Sequence, residues 1–342
     1  MRINWNPPKN WLNIKTIDMH TGGEPLRIFT GGLPEIKGKT ILEMRRYFRD
    51  NLDYIRRGTM FEPRGHADMY GAIITHPVSE DADFGTFFMH NEGYSTMCGH
   101  AIIALTKFAI ETEMVQKEGN MPQLIIDAPP GKIYSTAFIK NNRVVKTSFL
   151  NVPSFTLYLD EKVDVEGIGT VRFDVSYGGA FYAFVNADDL GLQLDESNYH
   201  KLIDYGKRIK KAVMQNFEIK HPFEEDLSFL YGTIFVGEAH NPEHHSRNVC
   251  IFADGEVDRS ATGSGVSARA ALHYAKNELS EKEKISIESI LGTTMDVEIK
   301  EITAYGNYTA VIPEVSGTAF FTGENNFYFD PDDPLKEGFI FR

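Results

Sequence analysis

Apolar residues recur along this chain with two different spacings, and these spacings predict helices and strands. Residues 41–55 and 196–217 carry apolar side chains at helical spacing with charged residues between them, which predicts two amphipathic helices. Two other stretches, one directly after Cys98 and one from about Thr262, are apolar or small on almost every side. Helices of that composition are usually buried on every side, so we expect two buried helices as well.

Short apolar runs between turn-forming residues predict strands in both halves of the chain. In the first half the runs are 14–19, 25–29, 71–75, 84–89, 123–127, 133–138 and 144–150. In the second half they are 171–176, 180–186, 229–236, 248–252, 285–290, 295–302, 308–312 and 318–321, and residues 151–155 are interpreted as the crossing between the halves.

Each half passes from strands through an amphipathic helix and more strands to a buried helix and a final set of strands. This order predicts two similar α/β domains, residues 1–155 and 156–322, with a tail of about 323–342 that packs back on the first domain. A cleft between two such domains is where a small ligand usually binds.

Composition narrows the class of protein. The 342 residues are 42% hydrophobic and 24% charged, which is typical of a globular protein and long enough for two domains. A net charge of −13 argues against nucleic acid or an anionic membrane as a partner. Two cysteines are too few for a disulfide scaffold, and no apolar run suggests a signal peptide or a membrane span. We therefore expect a cytoplasmic protein.

Cys98 stands at the predicted start of the first buried helix, directly before Gly99. The first backbone N–H groups of a helix have no acceptor within the helix, and together with the helix dipole they favour a thiolate. We therefore interpret Cys98 as a candidate proton acceptor. Cys250 lies in a predicted strand and is most simply a small buried apolar residue.

The second buried helix starts in a stretch rich in glycine and small hydroxyl residues, residues 258–267. Such a start leaves backbone N–H groups open to an anion. The stretch lacks the context of a nucleotide-binding loop, so a small carboxylate is the better candidate ligand. Two helix starts that face each other would hold a substrate carboxylate and stabilise the charge left when an α-proton moves to Cys98. Asp258 could pair with a substrate amine.

Six motifs, spread from about residue 15 towards the C-terminus, resemble those of the proline racemase family: residues 18–25, 62–66, 97–100, 177–182, 246–250 and 258–260. The resemblance implies a diaminopimelate-epimerase-like α/β (α+β) fold, with two similar domains around a central cleft and a buried helix in each. It also implies a homodimer that acts without a cofactor on a small hydroxyproline-type imino acid.

The resemblance further implies roles for individual residues. The family's racemases and hydroxyproline epimerases use two opposed cysteines, one on each face of the α-carbon. The first matches Cys98, but the second falls at Thr262. The implied substrate-binding residues are Gly99, His100, Asp258 towards the ring nitrogen, and Gly263 and Ser264 towards the carboxylate.

A threonine hydroxyl lacks the acidity of a thiol, so the Cys98–Thr262 pair resembles the trans-3-hydroxy-L-proline dehydratases of the family. In the trans isomer, the 3-hydroxyl lies on the same ring face as the α-hydrogen. One group on that face could take the α-proton and then protonate the departing hydroxyl. The expected product is Δ2-pyrroline-2-carboxylate, which tautomerises to the Δ1 form.

Two alternatives stay open from the sequence. One is a proline or 4-hydroxyproline 2-epimerase in which Thr262, or a water that it holds, replaces the second thiol. The other is an amino-acid-binding protein without turnover, against which the retention of Cys98 argues. The histidines in residues 240–245 lie in a turn-like segment, and we interpret them as a solvated loop and expect no metal.

Overall fold

The computed structural model describes residues 5–341, which form four α-helices and eighteen strands. The helices are α1 (Ile41–Met60), α2 (Gly99–Glu111), α3 (Tyr199–Asn216) and α4 (Gly263–Ala275). The strands of the first half are β1 (Leu12–Thr21), β2 (Glu24–Gly31), β3 (Tyr70–Thr75), β4 (Phe84–His90), β5 (Gly93–Ser95), β6 (Gln123–Ala128), β7 (Gly131–Lys140) and β8 (Arg143–Leu150). Those that follow are β9 (Ser154–Val165), β10 (Gly169–Tyr177), β11 (Phe181–Asn186), β12 (Leu230–Gly237), β13 (Ser246–Phe252), β14 (Glu256–Val257), β15 (Lys284–Glu288), β16 (Thr294–Tyr305), β17 (Tyr308–Gly317) and β18 (Ala319–Phe329).

The strands pair into two rings that share β17. The first ring runs β1, β2, β3, β4, β6, β7, β8 and β17, and β18 continues β17 and returns to β1. The second runs β9, β10, β11, β12, β13, β15, β16 and β17, and β17 pairs back to β9. Because both rings use β17, the two halves are joined along this one strand.

Each ring encloses one helix and carries another on its outer face. α2 packs inside the first ring and α4 inside the second, and both are buried from their first residue through their eleventh. α1 packs on β4 and β5, and α3 packs on β9, β12 and β13. The apolar helices are therefore central and the amphipathic helices peripheral, as their patterns predict.

Every predicted strand overlaps a strand of the structure, and the differences lie where polar residues interrupt the apolar pattern. β9 occupies part of the predicted crossing and continues to Val165 through charged, exposed positions. β18 extends to Phe329, well beyond the predicted end at residue 321, and four of the eight added residues are exposed. The backbone pairing of β18 with β1 holds this segment in place. The division of the chain at residues 155 and 322 stays a prediction.

Candidate active site

The two central helices meet at their N-termini, and glycine makes this meeting possible. A Cβ atom on Gly99 would lie 2.5 Å from the Cα of Gly263, and one on Gly263 would lie 2.7 Å from the Cα of Gly99. Any larger residue at either position would push the helix starts apart. Because the first N–H groups of each helix have no intrahelical acceptor, two sets of donors converge at this place.

All seven residues predicted for the site line one cavity at this meeting point: Cys98, Gly99, His100, Asp258, Thr262, Gly263 and Ser264. The cavity has a volume of about 20 Å³, close to the room that one ordered water needs. Six further residues complete its wall: Tyr70, Met97, Tyr182, Tyr231, Cys250 and Phe252. The structure brings the predicted residues together, while the role of each stays a prediction.

Sequence analysis did not identify the aromatic wall of the cavity. These side chains come from four different strands: Tyr70, Tyr182, Tyr231 and Phe252. The apolar pattern predicts a strand at the last three and places Tyr70 just before the predicted strand 71–75, and none of the four was predicted for the site. Which face of a strand points into a cavity depends on how distant strands pair, and no local signal reports that. Cys250 is fully buried, as interpreted, but it also lies in this wall.

Cys98 caps α2 with its side chain. Its backbone is extended (φ −142°), and its Sγ accepts a hydrogen bond from the N–H of Ala101 at 3.4 Å. Burial raises the pKa of the Cys98 thiol well above its usual range, and the Ala101 N–H and the Tyr70 hydroxyl offset only part of this rise. In the closed site, desolvation opposes the thiolate more strongly than the helix donors favour it, and the thiolate form of Cys98 stays a prediction.

His100 lies beside the Cys98 thiol, with its Nδ1 3.2 Å from Sγ. Burial lowers the pKa of His100, and the nearby charge of Asp258 offsets part of that effect. The ring packs edge-on against Tyr70 at 4.8 Å between centroids. The imidazole is therefore a neutral hydrogen-bonding group at neutral pH, held against the thiol by packing.

Thr262 precedes α4 as Cys98 precedes α2, but its geometry differs. Its backbone is left-handed (φ 66°), and its side chain makes no capping hydrogen bond. A left-handed conformation is strained for a β-branched residue, which marks a functional constraint. Its Oγ1 is buried and has no hydrogen-bond partner among residues 5–341, although the hydroxyl is close enough to Cys250 to lower the pKa of that thiol in part.

The other polar groups of the cavity are held by the chain around them. Asp258 accepts a hydrogen bond from the N–H of Ser260 at 2.7 Å, and Ser264 bonds the Tyr182 hydroxyl at 2.7 Å. Ser260 in turn accepts from the N–H of Thr262 at 3.1 Å. This turn brings the Asp258 carboxyl to the rim of the α4 helix start, beside the backbone N–H groups at that end of the helix.

Within the described part of the chain, no group of His, Cys, Asp and Glu is arranged to hold a metal. His244, from the predicted solvated loop, instead bonds Glu288 at 2.8 Å. None of the helices between residues 5 and 341 combines the length and apolarity needed to cross a membrane.

Comparisons with known proteins identify the family to which the chain belongs. The proline racemase family model matches residues 16–340. A trans-3-hydroxy-L-proline dehydratase from Colwellia psychrerythraea is 52% identical over 341 residues, which cover 99% of this chain and 96% of the relative. A proline racemase from Clostridioides difficile is 42% identical over 330 residues, which cover 96% of this chain and 98% of the relative.

A solved structure tests the architecture. The crystal structure of a hydroxyproline epimerase from Agrobacterium vitis, with bound trans-4-hydroxy-L-proline, matches with a TM-score of 0.90 at 26% identity. The match covers 96% of this chain and 96% of the epimerase. It confirms the predicted fold class, two similar α/β units around a central cleft.

Proposed function

The chain belongs to the proline racemase family, and from this premise we propose that it dehydrates trans-3-hydroxy-L-proline to Δ1-pyrroline-2-carboxylate. One observation supports this choice among the family's reactions. Of the two residues that precede the central helices in the cavity, Cys98 before α2 carries a thiol and Thr262 before α4 carries a hydroxyl. Racemisation needs an acid or base on each ring face. A syn elimination needs one.

The helix starts bind the substrate carboxylate. The N–H groups at Gly99, His100, Gly263 and Ser264 stand at the free ends of α2 and α4, where backbone donors favour an anion. Asp258 takes the ring nitrogen, which carries a positive charge in the free amino acid. These contacts acidify the α-hydrogen by stabilising the carboxylate charge that grows as the proton leaves.

Substrate binding also lowers the pKa of the Cys98 thiol. Burial favours its neutral thiol, but the positive ring nitrogen brings a cation into the same small cavity. An opposite charge at this range lowers the pKa of a buried acid. The thiolate therefore forms in the complex, beside the His100 imidazole and the Ala101 N–H.

The reaction balances around one sulfur. The Cys98 thiolate takes the α-proton, and the electron pair of the broken C–H bond forms the double bond to C3. The C3–O bond breaks, and the departing hydroxyl takes the proton from the new thiol and leaves as water. This restores the thiolate and yields the Δ2 enamine, which tautomerises to the Δ1 imine.

The narrow cavity implies that the cleft opens during the cycle. A volume of about 20 Å³ accepts one water, and a pyrrolidine carboxylic acid is several times larger. Substrate therefore enters when the two halves separate, and closure then excludes bulk water from the reacting groups.

A coupled assay tests the proposal. The pure protein is incubated with trans-3-hydroxy-L-proline and an NADPH-dependent reductase of pyrroline-2-carboxylate, and NADPH consumption is followed. The expected result is turnover of this isomer. Inversion at the α-carbon without dehydration would overturn the proposal.

A 2-epimerase is the second candidate, favoured by the structural likeness to a hydroxyproline epimerase and by the identity to a proline racemase. D- and L-proline and 4-hydroxyproline, run in parallel and separated by chiral chromatography, decide it. Binding of these ligands in a calorimeter without turnover would instead identify a non-catalytic binding protein.

Two further expectations extend the proposal. The protein works in the cytoplasm, which the two free, buried cysteines support, since neither is in a disulfide. It is a homodimer, as the family resemblance implies, and its mass in solution tests this.

A further inference from the structure

Glu24 is a fully buried carboxyl at the contact between the two halves, and the reaction described above does not use it. It begins β2 in the first ring, and its Oε2 accepts a hydrogen bond from the backbone N–H of Arg259 at 2.7 Å, in the segment before α4. Its side chain has no exposed surface, and its Oε1 has no hydrogen-bond partner among residues 5–341. A charged carboxylate oxygen without a hydrogen-bond partner is costly to bury.

The position of Glu24 is fixed by the glycine turn before it. Thr293 donates a hydrogen bond to the carbonyl of Gly22 at 2.9 Å. A Cβ atom on Gly23 would lie 2.5 Å from the Cδ1 of Leu291 and 3.5 Å from the Cβ of Arg259. This turn of the first ring is therefore seated on the second ring, and Glu24 has no freedom to leave the contact while the cleft is closed.

The charges around Glu24 oppose its ionisation. Asp258 of the catalytic cavity is the carboxyl that acts on it most strongly, followed by Asp68. Arg259 is the cation that acts on Glu24, and its guanidinium donates to Asp68 at 2.5 Å and to the carbonyl of Val257 at 2.6 Å. Burial and Asp258 together raise the pKa of Glu24 well above its usual range, against a smaller lowering by Arg259.

A negative charge at Glu24 would also act on the reacting groups. It raises the pKa of the Cys98 thiol and that of Cys250, so it opposes formation of the thiolate. With Asp258, the substrate carboxylate and the Cys98 thiolate already present, a fourth negative charge would lie in the same buried region. The cavity has no second cation to compensate it, among the residues that line it.

We propose that Glu24 is a positioning residue for the reaction. As a neutral carboxylic acid it holds the cleft closed, and as a carboxylate it opposes both closure of the cleft and formation of the Cys98 thiolate. The proposal rests on the proposed function for its kinetic consequence, and on the Glu24 contacts alone for its protonation state. It predicts that activity falls at high pH because Glu24 ionises, and not because of a residue that touches substrate.

The test replaces the carboxyl by its neutral isostere, Glu24→Gln. Glutamine keeps an oxygen for the Arg259 N–H and cannot ionise. We expect kcat/KM of E24Q to stay within about threefold of wild type at neutral pH and its fall at high pH to vanish or shift upward by at least one pH unit. A loss of more than a hundredfold in a folded E24Q would show that the charge is needed and would overturn the proposal.

Two readouts do not depend on turnover. Infrared difference spectra at neutral pH should contain a protonated-carboxyl band in wild type that E24Q lacks; an unchanged band pattern would overturn the proposal. The folded protein keeps this proton while the unfolded chain loses it above about pH 4.5. The folding equilibrium constant of wild type should therefore fall relative to E24Q by up to tenfold per pH unit as pH rises above that value.

Glu288 supplies a control, because it is another glutamate with almost no exposed surface, and its protonation state is the opposite one. It accepts hydrogen bonds from Arg247 at 2.6 Å and His244 at 2.8 Å, and two backbone N–H groups with these side chains lower its pKa to about 2. E288Q should lose no protonated-carboxyl band. If neither wild type nor E24Q dehydrates trans-3-hydroxy-L-proline, the proposed function fails, while the infrared band still decides the state of Glu24.

Discussion

The starts of α2 and α4 are built alike and carry different chemistry. Each helix has 13 residues, begins with glycine, is buried at once and lies inside a ring of strands. Before Gly99 stands Cys98, extended and bonded to the N–H of Ala101, whereas Thr262 before Gly263 is left-handed with an unpartnered hydroxyl. Under the proposed function, a symmetric scaffold binds the carboxylate and the acid–base chemistry is one-sided. One residue before each helix would then separate elimination from inversion on the same fold.

Removal of the thiol should have the largest effect. We expect Cys98→Ser to lower kcat by about a thousandfold or more, since general acid–base catalysis by one group contributes roughly 10²–10⁴ and this sulfur acts twice. Stopped assays with trans-3-hydroxy-L-proline measure it, with circular dichroism as a check on folding. Cys250→Ala should lose less than tenfold, because its thiol takes no proton in the mechanism. Equal losses in the two variants would remove the one-sided assignment.

A side chain placed between the starts of α2 and α4 should disturb both helix starts at once. Gly99→Ala places a Cβ atom 2.5 Å from the Cα of Gly263, and overpacking of this kind costs about 1–3 kcal/mol. We expect a lower melting temperature and a larger KM, because the N–H donors no longer converge on one carboxylate. Gly323→Ala is the matched control, since a Cβ atom there meets nothing within 4 Å. Unchanged KM in G99A would show that the substrate carboxylate binds elsewhere.

The sequence predicts which residues precede the two central helices, but it does not predict how the helices meet or how the site is buried. The positions of Cys98 and Thr262 before two apolar helices follow from composition and spacing, which are local. The meeting of Gly99 with Gly263 and the aromatic wall depend on pairing between distant strands. The protonation of Cys98 depends on burial, which exceeds the effect of the helix start and has no local signature.

A thiol in the second half should restore symmetry in part. We expect Thr262→Cys to gain measurable inversion of L-proline or 4-hydroxyproline, detected by chiral chromatography, while dehydration falls by less than about tenfold. The reason is that the second helix start already lies on the same cavity, so that only the acid is missing. Thr262→Ser, which keeps a hydroxyl, is the control and should gain no inversion. Absence of inversion in a folded T262C would show that the strained backbone at this position also decides the reaction.

The pH dependence of the rate should show the protonation state of the Cys98 thiol with and without bound substrate. Burial raises the pKa of its thiol in the free, closed site, and the bound ring nitrogen lowers it again, so the proton is lost more easily in the complex. The acid limb of kcat/KM reports the free enzyme and that of kcat reports the complex. Activity should therefore rise with pH in both profiles, with the limb of kcat about one unit or more below that of kcat/KM, since one unit corresponds to about 1.4 kcal/mol of interaction between thiolate and cation. Initial rates measured from about pH 5.5 up to the highest pH at which the protein stays folded report both limbs, because the limb of kcat/KM lies above the usual thiol value of about 8.5. Coincident limbs would mean that the substrate nitrogen does not promote formation of the thiolate. Another group in the same half of the cavity would then have to stabilise the Cys98 thiolate. The His100 imidazole, whose Nδ1 lies 3.2 Å from Sγ, is the group placed to do so.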